Sequence, residues 1–187
     1  MYCEHFGLND YPFRRSGEAL VPRVGSSFHG AYQQIEDGVQ MGLAIQLVLG
    51  APGTGKTRLL ACLGAQLGER YRVVKPNFTR FSEEDFFWKL AESLGGGSVR
   101  DDGADMEARV QALLGREDGD PRGILLLIDD AERLGRSTLA RLPALFPAAE
   151  AGRAARAQVV LAACPELEDR LLDPELLPVW EAVRSEE

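Results

Sequence analysis

At 187 residues, 45% hydrophobic and 27% charged, the chain has the size and composition of one folded domain around one sizeable core. Its formal net charge of −8 and pI of about 4.9 disfavour a general nucleic-acid binder, which presents a basic face. No run approaches the roughly 20 apolar residues that span a bilayer, so no transmembrane segment is expected.

Residues 1–27, rich in turn formers and aromatics, read as an N-terminal arm packed on a core, residues 28–187, within a single domain. The opening "MYCEHFGLNDYPF" has acids and aromatics where a signal peptide has basic residues and an apolar run, so a cytoplasmic location is expected. Cys3, Cys62 and Cys164 are widely spaced and odd in number, which predicts reduced thiols with no disulfide framework or zinc site. "FHGAYQQIEDGVQMG" places Phe28, Tyr32, Ile35 and Val39 at helical spacing. "LAIQLVLG" is a nearly continuous apolar run, the pattern of a strand buried on both faces of a parallel sheet. A glycine-rich loop follows, and "KTRLLACLGAQLGERY" predicts a helix.

"RVVKPNF" predicts a second strand ended by Pro76. "SEEDFFWKLAESLG" reads as a capped helix, with Ser82 at the N-cap, acids in the first turn and Gly95 past the end. "GGGSVRDDGAD" is a loop, "MEARVQALLG" a helix, "GILLLIDDAERL" a strand with its exit turn, and "RSTLARLPALF" a helix. "AQVVLAAC" predicts a further strand, and "PELEDRLLDPELLPVWEAVRSEE" one or two closing helices. Strands alternating with helices predict an α/β fold, a parallel β-sheet with helices on both faces.

The loop "GAPGTGKT", Gly50 to Thr57, is a full match to the GxxxxGK[ST] phosphate-loop pattern, and it stands between a strand run and a helix run. Gly50, Gly53 and Gly55 let the backbone turn tightly, so that N–H groups from Ala51, Pro52's neighbours and Thr54 face inward at phosphates. Lys56 reaches the β- and γ-phosphates, the Thr57 hydroxyl ligates Mg²⁺, and Arg58 follows on the new helix, whose positive end completes the cradle. A second motif, "GILLLIDDAERL", is an apolar strand delivering Asp129 and Asp130 at its C-terminal end. There Asp129 is the metal-side acid, acting through the water shell, and Asp130 polarises the attacking water as general base. The simpler reading of both acids is that they cap the turn that follows.

"YCEHFGLNDYPF", "GAPGTGKT", "LLLIDDAERL" and "QVVLAACPELEDRL", in that order and spacing, resemble the ExeA-type (general secretion pathway A) branch of the AAA+ ATPases. The resemblance covers nearly the whole chain. It implies a P-loop NTPase of the AAA+/ASCE type that binds ATP and Mg²⁺ and forms a homo-oligomer with sites at subunit boundaries. Its partner would be a protein, of a secretion or envelope complex. Position by position it makes Lys56 and Thr57 the phosphate and metal contacts and Asp129 the Walker B acid. Phe6, Tyr11, Pro12 and Phe13 would lie near the adenine, with core packing as their alternative.

Three departures bear on activity. Asp130 stands where the family has Glu and is one methylene shorter. Cys164 stands where the family has a polar residue that senses the γ-phosphate, and a thiol is a weak hydrogen-bonding partner; a small core residue is the alternative. The sequence stops at "EAVRSEE", before the family's next strand and helical lid, which leaves the strand at residues 43–49 on a sheet edge that the arm, a neighbouring subunit or a partner would cover. Arg184 and Arg170 are candidates for an arginine finger. With the lid absent, slow ATP hydrolysis or an ATP-dependent assembly switch is expected. The alternatives are a non-hydrolysing nucleotide-binding scaffold and, less well supported, a small-molecule kinase, whose arginine-bearing lid "GRAARAQ" is too short to supply.

Overall fold

A computed structural model describes residues 26–78, 82–97, 105–115, 122–147 and 155–184. The arm expected at residues 1–27 therefore lies outside the described residues up to residue 25, together with Phe6, Tyr11, Pro12 and Phe13. In chain order the elements are α1 (Ser26–Met41), β1 (Ile45–Leu49), α2 (Lys56–Leu67), β2 (Tyr71–Val74), α3 (Glu83–Ser93), α4 (Met106–Leu114) and β3 (Gly123–Ile128). A 3₁₀ turn at Ala131–Arg133 follows, then α5 (Arg136–Leu145), β4 (Ala157–Ala163), α6 (Glu166–Leu171) and α7 (Leu177–Arg184).

The four strands form one parallel sheet in the order β1-β4-β3-β2. The two central strands are the two most apolar runs. "AQVVLAA" is buried along its length, and "GILLLI" is buried from Ile124 onward. Side chains alternate across a strand, so β3 sends Leu125 and Leu127 to one face and Ile124, Leu126 and Ile128 to the other. The first face is closed by α1 and α2 through Tyr32, Ile35, Val39, Leu59, Leu60 and Leu63. The second packs against Phe86, Leu90, Val110, Leu139, Leu142 and Val179 from α3, α4, α5 and α7. The α/β sandwich read from the alternating pattern is the observed one.

Local signals set the helix ends on the second face. Ser82 accepts a hydrogen bond from the Asp85 N–H at 3.2 Å, the cap expected for α3. Asp105 does the same for α4, accepting from Glu107 and Ala108. Arg141 of α5 then pairs with Glu83 at 2.9 Å and with Glu107, tying the starts of α3 and α4 to α5.

Among the described residues β1 pairs with β4 alone and forms one edge of the sheet. The Ala44 carbonyl accepts from the Val159 N–H and the Gly50 N–H donates to the Ala163 carbonyl, at 2.9 and 3.1 Å. Alternate residues of a parallel strand bond to the same neighbour, so the N–H groups of Leu47 and Leu49 point away from β4. The edge position expected for residues 43–49 is thus the observed one. All four strands run the same way, so the C-terminal ends of β1, β3 and β4 open on one rim, where such sheets hold their ligands.

Candidate nucleotide site

The loop from Gly50 to Gly55 leaves β1 on that rim and enters α2. Its glycines have separate reasons. A Cβ on Gly50 would stand 2.6 Å from the Thr54 hydroxyl oxygen, while Gly53 and Gly55 adopt φ of 82° and 97°, conformations that L side chains rarely take. Thr54 closes the turn by donating from its hydroxyl to the Ala51 carbonyl at 2.8 Å. Gly55 is the N-cap of α2 and has no side chain with which to cap it, so the first-turn N–H groups and the helix dipole face the loop as an anion-binding end. Phe28 of α1 flanks this turn: its ring would lie 3.8 Å from a Cβ on Gly55. Arg58 is exposed on the first turn of α2.

Lys56 folds back over the loop. Its ammonium donates to the carbonyls of Gly50 and Ala51, at 2.6 and 3.2 Å, and lies 3.8 Å from the Cys164 sulfur at the end of β4. Thr57, the next residue, donates from its hydroxyl to Asp129 Oδ2 at 2.6 Å, across 72 positions of sequence. The fold therefore brings together Lys56, Thr57 and Asp129, three residues named from sequence. A hydroxyl, a carboxylate and an ammonium on an anion-binding helix end suit Mg²⁺ shared with phosphates. Among the described residues no three His, Cys, Asp or Glu side chains form a metal cage.

Asp130 is placed differently. It adopts a left-handed backbone conformation (φ 51°, ψ 40°), which Asp tolerates better than most residues, and its N–H donates to Asp129 Oδ1 at 3.0 Å. Its own carboxylate is 56% exposed and lies 4.0 Å from Arg133. No hydrogen bond or ion pair joins its carboxylate to Lys56 or Thr57.

Two further residues lie behind the rim, and sequence reasoning gave neither this place. Glu132, in the 3₁₀ turn, accepts the Cys164 N–H at 3.1 Å. Arg170, proposed above as an arginine finger, instead turns inward: its guanidinium donates to the carbonyls of Glu132 and Leu134, the latter at 2.8 Å. Loss of solvation, reinforced by Glu132, pushes the Cys164 thiol above its ordinary pKa, while the Lys56 ammonium opposes the shift. Cys164 is half-buried, neither a fully buried core residue nor a remote one. A groove of about 310 Å³ lined by Gln111, Leu114, Leu145 and Arg156 lies near the start of β4, at the other end of the sheet from the phosphate loop.

No curated protein sequence matches the chain. Among solved structures, Cdc6p from Pyrobaculum aerophilum is similar with a TM-score of 0.65 and 23% identity, over 86% of this chain and 45% of its own. ORC1 of Aeropyrum pernix in complex with DNA has a TM-score of 0.58 and 16% identity, over 90% of this chain and 47% of its own. ORC2 of Aeropyrum pernix, in ADPNP–ADP complexes, has a TM-score of 0.57 and 14% identity, over 89% and 48%. At such identities the likeness is one of fold, and the chain spans about half the length of these proteins. The model of the AAA domain family matches residues 40–171, which take in the phosphate loop, both acids of the β3 exit and all of β4. The chain belongs to the AAA domain family and carries its P-loop fold.

Proposed function

We propose that this chain binds ATP with Mg²⁺ at the rim formed by the phosphate loop, β3 and β4, and acts as a slow ATPase or ATP-dependent assembly switch on a protein partner. The observation that carries the reading is the Thr57–Asp129 hydrogen bond at 2.6 Å, which joins the two separate motifs in one place. In this reading the loop from Gly50 to Thr57 would cradle the phosphates through the N–H groups that follow Gly50, whose own N–H is bonded to the Ala163 carbonyl; Lys56 would meet the β- and γ-oxygens, and Arg58 lies at the margin. Thr57 and Asp129 hold the cation, Asp129 through water. Bound Mg²⁺ would neutralise charge on the phosphate oxygens.

The resemblance makes Asp130 the general base, and its carboxylate is exposed beside Arg133 at 4.0 Å, without a hydrogen bond to Lys56 or Thr57. A misplacement on the order of an ångström costs about a hundredfold in rate, which is why slow turnover is the expected behaviour. The same observation favours the second reading, a nucleotide-binding scaffold that does not hydrolyse.

The family match is consistent with a homo-oligomer whose sites lie between subunits, and Arg184 at the end of α7 is the remaining finger candidate now that Arg170 is engaged within its own chain. The ExeA-type resemblance supports a protein partner in a secretion or envelope complex. The acidic net charge does not weigh against a nucleic-acid partner for this fold, since the similar structure of ORC1 from Aeropyrum pernix is a complex with DNA. A cytoplasmic location remains the expectation from the N-terminal sequence, and among the described residues no helix is long and apolar enough to cross a membrane.

The test is phosphate release from Mg-ATP over a wide range of chain concentration, with Lys56→Ala as control. Release that rises more than linearly with concentration and vanishes in the control supports an assembling ATPase. ATP binding without release supports the scaffold. Measurable release that is equal in Lys56→Ala and the unmodified chain contradicts both.

A further inference from the structure

The Lys56 ammonium has three N–H donors. It also has three contacts, at 2.6 Å to Gly50, 3.2 Å to Ala51 and 3.8 Å to the Cys164 sulfur. A phosphate oxygen that binds Lys56 must therefore take over one of them, and the long contact to a weakly accepting thiol is the easiest to give up. Cys164 is in turn held from the other side. Its N–H is bonded to the Glu132 carboxylate at 3.1 Å, and the Glu132 carbonyl is bonded to Arg170 of α6. A continuous set of contacts thus runs from the phosphate lysine through the end of β4 and the turn after β3 to α6.

We propose that Glu132 is a positioning residue: it fixes the end of β4 beside Lys56 and passes the change at Lys56 on nucleotide binding to α6. The proposal rests on the nucleotide site argued above and adds a route by which occupancy of that site is reported elsewhere in the chain. What it requires of Glu132 is reach and an acceptor oxygen, since the bond is to a backbone N–H. Charge is not required. This separates Glu132 from a general base, which would need a carboxylate.

The test compares Glu132→Gln, which keeps both reach and acceptor, with Glu132→Asp, which keeps the charge but is one methylene short. Hydrogen exchange is followed at the Cys164 amide and across α6, with and without Mg-ATP, and ATP binding is measured on the same samples. In Glu132→Asp the Cys164 amide is expected to exchange about tenfold faster, as loss of one hydrogen bond implies, and α6 to lose its response to ATP while ATP still binds. Glu132→Gln is expected to behave as the unmodified chain in both respects. Glu132→Asp that keeps the full α6 response, or Glu132→Gln that loses it, overturns the proposal while leaving the nucleotide site intact. An unmodified chain that binds no ATP overturns the site, and this proposal with it.

Discussion

Thr57 and Asp129 are coupled through a 2.6 Å bond that a bound cation would replace or share, so each residue has a distinct signature. Asp129→Asn keeps an acceptor for the Thr57 hydroxyl but removes the charge. ATP binding in this variant is expected to lose most of its dependence on Mg²⁺, as read by titrating ATP with and without the metal; an undiminished dependence would remove Asp129 from the metal site. Cys164 offers a second probe. Its thiol is pushed above the ordinary value by loss of solvation and by Glu132, and it is pulled down by the Lys56 ammonium. At pH 8, just below the ordinary thiol pKa of about 8.5, less of it is thiolate than of an unperturbed cysteine. Lys56→Ala removes the ammonium that favours the thiolate, so alkylation of Cys164 is expected to be slower at fixed pH and its rate–pH curve to move to higher pH. A curve that stays in place would show that Lys56 does not act on the thiol.

At the scale of elements, α1 and β1 fit through one buried polar contact. Gln46 of β1 is 5% exposed, and its amide donates to the Ile35 carbonyl at 3.2 Å and accepts from the Val39 N–H at 3.1 Å. Gly38 makes the room: a Cβ there would stand 2.2 Å from that amide and 2.9 Å from Leu43 Cδ1. Gly38→Ala is expected to destabilise the fold by about 1–3 kcal/mol, the cost of displacing a buried hydrogen-bonding group, and thermal unfolding would read it. An unchanged melting temperature would mean that α1 shifts without penalty. The outer edge of β1 makes a different prediction. The Leu47 and Leu49 amides are expected to exchange rapidly in dilute chain and to become protected as the chain assembles; fast exchange at every concentration would show that no subunit covers the edge.

The same contrast separates what was legible in sequence from what was not. The phosphate loop, the β3 acids and the Ser82 cap are contiguous patterns, in which chemistry and local conformation are fixed by neighbours within a few residues. The continuous burial of β3 and β4 was legible too, because a strand covered on both faces has no polar side. Glu132 and Arg170 were not: each acquires its place from a partner more than 30 positions away, after a 3₁₀ turn has set its direction, and no short pattern encodes that. Phe28 was read as part of a helical stripe, and only the fold places its ring against Gly55. Asp130 was legible as a residue but not as a geometry, since its left-handed backbone turns on the exit from β3.

At the scale of the whole molecule, the sheet delivers the phosphate loop, Asp129, Glu132 and Cys164 to one rim, while among the described residues β1 pairs on one side only. In the proposed reading this arrangement would link nucleotide, strand end and assembly surface in one small domain. If subunits share sites, ATP is expected to favour the oligomer, and light scattering with and without Mg-ATP would show the mass rising only in its presence; a mass indifferent to ATP would leave nucleotide and assembly unconnected. All of this depends on the loop holding the nucleotide. The most direct measurement is equilibrium binding of ATP with Mg²⁺ to the unmodified chain and to Lys56→Ala. The account predicts saturable binding that weakens about 30- to 100-fold in the variant, the loss of charge-assisted hydrogen bonds worth about 2–3 kcal/mol. Equal binding by the two chains, or none by the unmodified one, would contradict it.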